Sequence, residues 1–128
     1  MEKRRASPLR IFLLCAVAAL PACAEEEMPN LTHEQQSELS AFVGAYHLCV
    51  AQTARVIDDG RSPVVTVARI AMARCKAEAA DVSRYLDRIK LSETVKARYI
   101  DDLLQTAARQ SAVMLRRRRG SDWESLQA

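Results

Sequence analysis

The sequence has few of the residues on which catalytic and metal sites depend. Its 128 residues include two histidines, one tryptophan and three glycines. The four cysteines form no C-x-x-C pair, the histidines form no H-x-x-x-H motif, and no glycine-rich phosphate loop is present. Because no nucleophile, base and orienting group can be named together, the sequence predicts neither a cofactor nor catalytic activity.

The N-terminus, in contrast, has a clear pattern, that of a secretory signal peptide. Lys3, Arg4 and Arg5 precede the apolar run Ile11–Leu20, and the small residues of Ala22-Cys23-Ala24 follow it. An apolar run of about ten residues is half of the roughly 20 that a membrane span needs. The sequence therefore predicts an exported, periplasmic chain from which residues 1–24 are removed.

The cleavage site has two interpretations. Ala22-Cys23-Ala24 fits the A-x-A rule of ordinary signal peptidase, with Glu25 as the first residue of the mature chain. Leu20-Pro21-Ala22-Cys23 also resembles a bacterial lipobox, which would place a lipid on Cys23, although proline is a poor residue at that position. Soluble release is favoured, and lipidation of Cys23, giving a lipid-anchored envelope protein, is the alternative.

Removing the leader changes the charge of the chain. The leader holds four of the 19 basic residues and one of the 16 acidic residues, which leaves 15 of each. A formally neutral mature chain gives no reason to expect a nucleic-acid partner. The remaining asymmetry is local, with acidic residues at 25–27 and basic residues at 116–119.

Hydrophobic periodicity after the leader predicts an all-α bundle of about three helices. A flexible acidic tether (25–31) precedes a helical domain (32–120) and a tail (121–128). Apolar residues recur at steps of three and four, which is the period of a helix face. The predicted helices are a hairpin of about 33–58 and about 63–90, followed by a C-terminal helix of about 93–118 that ends in the arginine run and Gly120. Trp123 is the only candidate anchor of the tail.

Local signals mark the ends of these helices. Thr32 and Gln35 have the spacing of a capping box, and Gly60 suits the left-handed conformation that commonly ends a helix. Ser62 is expected to cap the second helix, with Pro63 in its first position, and Ser92 to cap the third.

Cys49 and Cys75 lie on the apolar faces of the two hairpin helices, at similar distances from the turn between them. In an exported protein, two such cysteines are expected to form a disulfide. A structural bond is favoured over two unpaired thiols, and also over a redox-active bond, because the usual setting that lowers a cysteine pKa is missing. His33 and His47 are expected at the surface or at the edge of the core, and Asp58 and Asp59 at a solvated helix end.

The run Arg116, Arg117, Arg118 and Arg119 has two interpretations. Basic residues at a helix C-terminus are favoured by the helix dipole, and the simpler interpretation is that their charges are solvated. The alternative is a docking site for anionic lipid, a polyanion or an acidic protein, with an attraction of about 1 kcal/mol for each charge near an anionic membrane.

The centre of the chain resembles a group of small exported proteobacterial proteins of unknown function. The resemblance rests on Cys49, the turn Asp58-Asp59-Gly60-Arg61-Ser62, the segment Thr66-Val67-Ala68 and the segment Cys75-Lys76-Ala77-Glu78. Two cysteines bracket a D-D-G-x-S turn, over roughly the central third of the chain. The resemblance implies export and a helical hairpin, and no activity is carried over from it.

The expected function is that of a non-catalytic binding protein of the periplasm or envelope, with an unknown protein partner or an anionic lipid surface. A small-molecule or metal carrier that uses the groove between helices is the alternative from a different class. An enzyme is the least supported class, because the residues that catalysis needs are not found together.

Overall fold

The computed structural model describes residues 30–127, which form four helices and no strand. These are α1 (His33–Ile57), α2 (Val64–Arg74), α3 (Lys76–Arg88) and α4 (Glu93–Gln127). The prediction of an all-α fold is confirmed, and the predicted number of about three helices is corrected to four. The predictions for the leader, for Cys23 and for residues 25–29 lie outside the described residues.

The second predicted helix, about 63–90, is two helices that meet at Cys75. Cys75 leaves helical geometry, with φ −97° and ψ 23°, and its N–H donates to both Ala71 O and Met72 O. The bond to Met72 is of the 3₁₀ type, and it interrupts the regular α-helical pattern at this residue. The apolar face continues through the junction, so the periodicity gave no indication of a break.

The predicted caps are confirmed at α1 and α4 and corrected at α2. Thr32 Oγ1 accepts from Gln35 N–H and Gln35 Oε1 accepts from Thr32 N–H, which completes the capping box. Ser92 Oγ accepts from Val95 N–H at 3.3 Å. At α2 the N-cap is Pro63, with no side-chain bond, because the Ser62 hydroxyl donates to Asp59 instead.

The core lies where α1 contacts all three of the other helices. The largest fully buried side chains are Tyr46, Tyr85, Leu86, Leu115, Val50, Val82 and Cys75. The Tyr85 hydroxyl donates to Gln35 O at 3.2 Å, and its ring lies 5.4 Å from the ring of Phe42. The core cluster therefore combines large side chains from α1 and α3 with the small residues Ala54 and Ala71.

The last helix is longer than predicted. It was expected to end near residue 118, with Gly120 after it and a tail at 121–128, but α4 continues to Gln127. Gly120 has an ordinary helical conformation, and glycine inside a helix costs only about 1 kcal/mol. All residues from 120 to 127 are exposed, so this end of α4 projects from the bundle. Within residues 30–127, no helix has an apolar stretch that would span a membrane.

Candidate functional site

The disulfide joins the two predicted cysteines. Cys49 in α1 and Cys75 at the α2–α3 junction are bonded, with their Cα atoms 6.0 Å apart. Cys75 is fully buried and Cys49 is half-buried, so the bond lies partly inside the bundle. The prediction of a Cys49–Cys75 bond is confirmed.

The four arginines of the C-terminal run do not form one common surface. Arg119 points toward the α1–α2 turn, where Nη2 donates to Asp58 Oδ1 at 2.5 Å and Nε donates to Asp58 Oδ2 at 3.3 Å. Nη2 also donates to Ser62 O at 2.8 Å. Only 6% of the Asp58 side chain and 24% of the Arg119 side chain are exposed. The interpretation of Asp58 as a solvated helix end is therefore corrected.

The ion pair and the turn also explain the acidity of both aspartates. The Arg119 guanidinium, through its hydrogen bonds, lowers the pKa of Asp58. Asp59 accepts from the backbone N–H groups of Ser62 and Arg61 and from the Ser62 hydroxyl, and these bonds lower its pKa to about 2. Both carboxylates are therefore ionised at neutral pH and hold the turn together.

The other three arginines are exposed. Arg118 Nη1 donates to Arg55 O at 3.1 Å, across the end of α1, whereas Arg116 and Arg117 extend into solvent. Sequence reasoning did not separate Arg119 from its neighbours. The available signal was its position, four residues after the buried Leu115, which places it on the inward face of α4.

Large apolar side chains are exposed at the same end of the bundle. Trp123 is 62% exposed, Leu126 is 82% exposed and Val113 is 41% exposed, all on α4. Trp123 was expected to be the only anchor of a tail, and it instead projects from a helix. Arg116 and Arg117 lie one to two turns before Trp123, so basic and apolar groups occur together on the exposed end of α4.

The groove between α1 and α4 contains a small cavity of about 150 Å³, lined by His47, Ala51, Ala107, Gln110, Ser111 and Met114. His47 Nε2 is buried and has no hydrogen-bond partner. His47 is thus partly enclosed, whereas His33 is exposed. Pockets for small ligands usually have volumes of about 300–1,000 Å³, so this cavity suits a few waters better than an organic ligand.

A third group of polar atoms lies beside the disulfide. The sulfur atoms of Cys49 and Cys75 and a carboxylate oxygen of Glu78 are within 4.8 Å of one another. Thr53 Oγ1 lies 3.6 Å from Cys75 Sγ and 4.0 Å from Cys49 Sγ. While the sulfurs are bonded to each other they are poor metal ligands, because metals bind the thiolate.

Comparison with known proteins gave no matching family model, no similar curated protein and no similar solved structure. The resemblance to small exported proteins with a D-D-G-x-S turn therefore stays a prediction from the sequence.

Proposed function

We propose that this chain is a small exported binding protein of the periplasm or envelope, without catalytic activity of its own. The observation that carries the proposal is the projecting end of α4, which exposes Trp123 and Leu126 beside Arg116 and Arg117. The proposed ligand is an anionic surface, in the first place the headgroups of anionic lipids.

The helical period supports one continuous docking face. Val113, Arg116, Gly120 and Trp123 follow one another at steps of three, four and three, and therefore share one side of α4. Arg117 lies at the edge of this face, and the negative charge of Glu124 offsets part of the positive charge of the face. Tryptophan is enriched at membrane–water interfaces, and basic residues are attracted to anionic headgroups. The face combines both properties.

The expected affinity is weak. Two arginines near an anionic surface contribute about 2 kcal/mol in total. Burying one large apolar side chain contributes about 2 kcal/mol more. A sum of about 4 kcal/mol corresponds to a dissociation constant of about 1 mM, so binding is to be measured at millimolar lipid.

Trp123 is the only tryptophan of the chain, so its fluorescence reports on this face directly. The protein, purified after expression with its own N-terminus so that any processing has occurred, is titrated with anionic and with zwitterionic vesicles. We expect a blue shift of the emission with anionic vesicles alone. The shift should be large in about 0.01 M salt and small in about 0.1 M salt, because the screening length falls from about 30 Å to about 10 Å.

The informative variant is Arg116→Gln with Arg117→Gln, because neither side chain has a hydrogen bond or ion pair among the described residues. Arg119 is left unchanged, since replacing it would also break the pair with Asp58. The matched control is Arg69→Gln with Arg74→Gln, which removes two exposed charges from α2. Loss of the shift in the first variant alone supports docking through α4. Equal shifts in the two variants contradict it, and a protein that co-purifies with the wild type but not with the Arg116/Arg117 variant would identify a protein partner instead.

A small-ligand carrier is a second candidate, and the observation that favours it is the unpartnered ring nitrogen of His47; the cavity there has room only for a very small ligand. A buried ring nitrogen without a partner is costly, and a ligand that donates a hydrogen bond would satisfy it. Native mass spectrometry of the purified protein tests this function, because a carrier retains a small molecule and His47→Phe should release it.

A further inference from the structure

The disulfide has a carboxylate neighbour, Glu78, in the first turn of α3. Glu78 follows Cys75 by three residues, so both side chains lie on the same face at the start of α3, and Cys49 faces them from α1. The two sulfurs and a Glu78 oxygen lie within 4.8 Å of one another. Residues of α1 and of the start of α3 therefore bring together three potential metal ligands, the two sulfurs and the carboxylate oxygen.

Glu78 also has an unsatisfied atom there. Its Oε2 is buried and has no hydrogen-bond partner. A buried carboxylate oxygen without a donor or a cation loses its hydration without compensation, which costs free energy. The buried oxygen of Glu78 thus costs free energy next to a disulfide, and a bound cation would compensate for that cost.

We propose that the disulfide covers a zinc site, which forms when the bond is reduced. A dithiol reductant supplies two electrons and two protons, is itself converted to a cyclic disulfide, and leaves Cys49 and Cys75 as two thiols. Zn²⁺ then displaces the two thiol protons, which pass to solvent, and is bound by two thiolates, a Glu78 oxygen and one water.

The ligand set favours zinc over other common metals. Zn²⁺ accepts thiolate sulfur at about 2.3 Å and carboxylate oxygen at about 2.0–2.2 Å in a tetrahedron. The two sulfurs would then be about 3.8 Å apart, which helices with Cα atoms 6.0 Å apart at these cysteines allow. Copper(I) prefers an all-sulfur set, and magnesium and calcium prefer oxygen.

The surroundings suit an anionic, metal-bound pair of sulfurs. The Thr53 hydroxyl lies within 4.0 Å of both sulfurs and would donate to a thiolate. Hydrogen bonds of this kind orient metal ligands and tune their affinity. Cys49 and Glu78 are half-buried, so an ion would enter on their side, and the fully buried Cys75 would close the other side. The protein would then bind zinc only in its reduced form.

Cobalt(II) is the probe, because thiolate ligands give it a strong charge-transfer absorption in the near ultraviolet. The protein is reduced with a dithiol, freed of reductant without oxygen, and titrated with Co²⁺ and then with Zn²⁺. We expect the band in the reduced protein, its absence in the oxidised protein, and its loss as zinc displaces cobalt. Glu78→Gln should weaken zinc binding at least about tenfold, and the matched control Glu124→Gln, on the exposed end of α4, should not weaken it.

Two further controls keep the result interpretable. The Cys49→Ser/Cys75→Ser variant must lose the band, which excludes ligation by Cys15 and Cys23. If reduction lowers the helix content, zinc should restore it in the wild type, as measured by far-ultraviolet circular dichroism. The proposal is overturned if the reduced protein gives no band, if Glu78→Gln binds as tightly as the wild type, or if zinc fails to restore lost helix content.

Discussion

The Asp58–Arg119 pair gives a quantitative prediction for Arg119→Gln. The variant leaves the Asp58 carboxylate, with 6% of its side chain exposed, without its counter-charge and without two donated hydrogen bonds. Exposed ion pairs contribute about 0.2–1 kcal/mol, whereas removing one partner of a buried pair costs about 3–5 kcal/mol. Arg119 is 24% exposed, so the loss should lie between these limits, at about 2 kcal/mol.

Thermal unfolding measures this loss. For a domain of this size, about 1 kcal/mol shifts the melting temperature by about 4–8 °C, so Arg119→Gln should lower it by about 8–16 °C. The matched control is Arg84→Gln, because Arg84 pairs with Asp81 at the surface, with side chains 70% and 43% exposed. Arg84 and Asp81 are three residues apart on a helix surface, and such a pair contributes at most about 0.5 kcal/mol, so that change should shift the melting temperature by no more than about 4 °C. A double-mutant cycle with Asp58→Asn should give a coupling energy of about 1–2 kcal/mol.

The effect should also depend on pH in one direction. The pKa of Asp58 is lower in the folded protein than its usual value of about 3.9 in an unfolded chain. The stabilisation by the pair is therefore complete above the unfolded pKa, and is lost as the pH falls through the folded pKa. The melting temperatures of wild type and Arg119→Gln should differ at pH 7 and converge in acid. An Arg119→Gln loss no larger than that of Arg84→Gln would refute the reasoning.

Two further predictions concern the cysteines and the leader. Cys49→Ser opens the loop that the disulfide closes, with a sequence separation of 26, which costs about 3.5 kcal/mol in the chain-entropy model. The melting temperature of the variant should therefore fall by more than about 10 °C. Non-reducing peptide mapping should show the Cys49–Cys75 link in the wild type, and free thiols at both positions would contradict the prediction. The mass of protein recovered from the periplasm should correspond to a chain that begins at Glu25, and labelling with a fatty-acid analogue would instead indicate an acylated Cys23. A mass that includes Met1 would contradict both forms.

Features decided by neighbouring residues were predictable from the sequence. The capping box forms between Thr32 and Gln35, which are three residues apart. The left-handed conformation of Gly60 is set within the short turn that contains it. The Cys49–Cys75 bond spans two helices, yet helical period and a short turn place both cysteines at the same height. In each case the spacing of residues along the chain determines the geometry, and that spacing can be read from the sequence.

Features decided by packing were not predictable. Nothing in the residues around Cys75 breaks a helix, so we attribute the interruption there to packing, because α2 and α3 both contact α1 and α4. Gly120 was interpreted as a helix end because glycine often has that role, although a helix can also continue through it. The partner of Arg119 is 61 residues away in sequence, and only the packed bundle brings them together.

The disulfide changes how the chain transmits force. Between Cys49 and Cys75 the covalent path through the sulfurs is far shorter than the main-chain path, which crosses 26 peptide bonds and includes the turn and all of α2. A pull on the two ends of the protein therefore passes from α1 directly to α3, and α2 bears no tension. While the bond is intact, the segment between the two cysteines, about 90 Å long when fully extended, cannot be stretched out by this pull. An anchored N-terminus and a docked α4 would load the protein along this path, and a reductant would release this segment in one step.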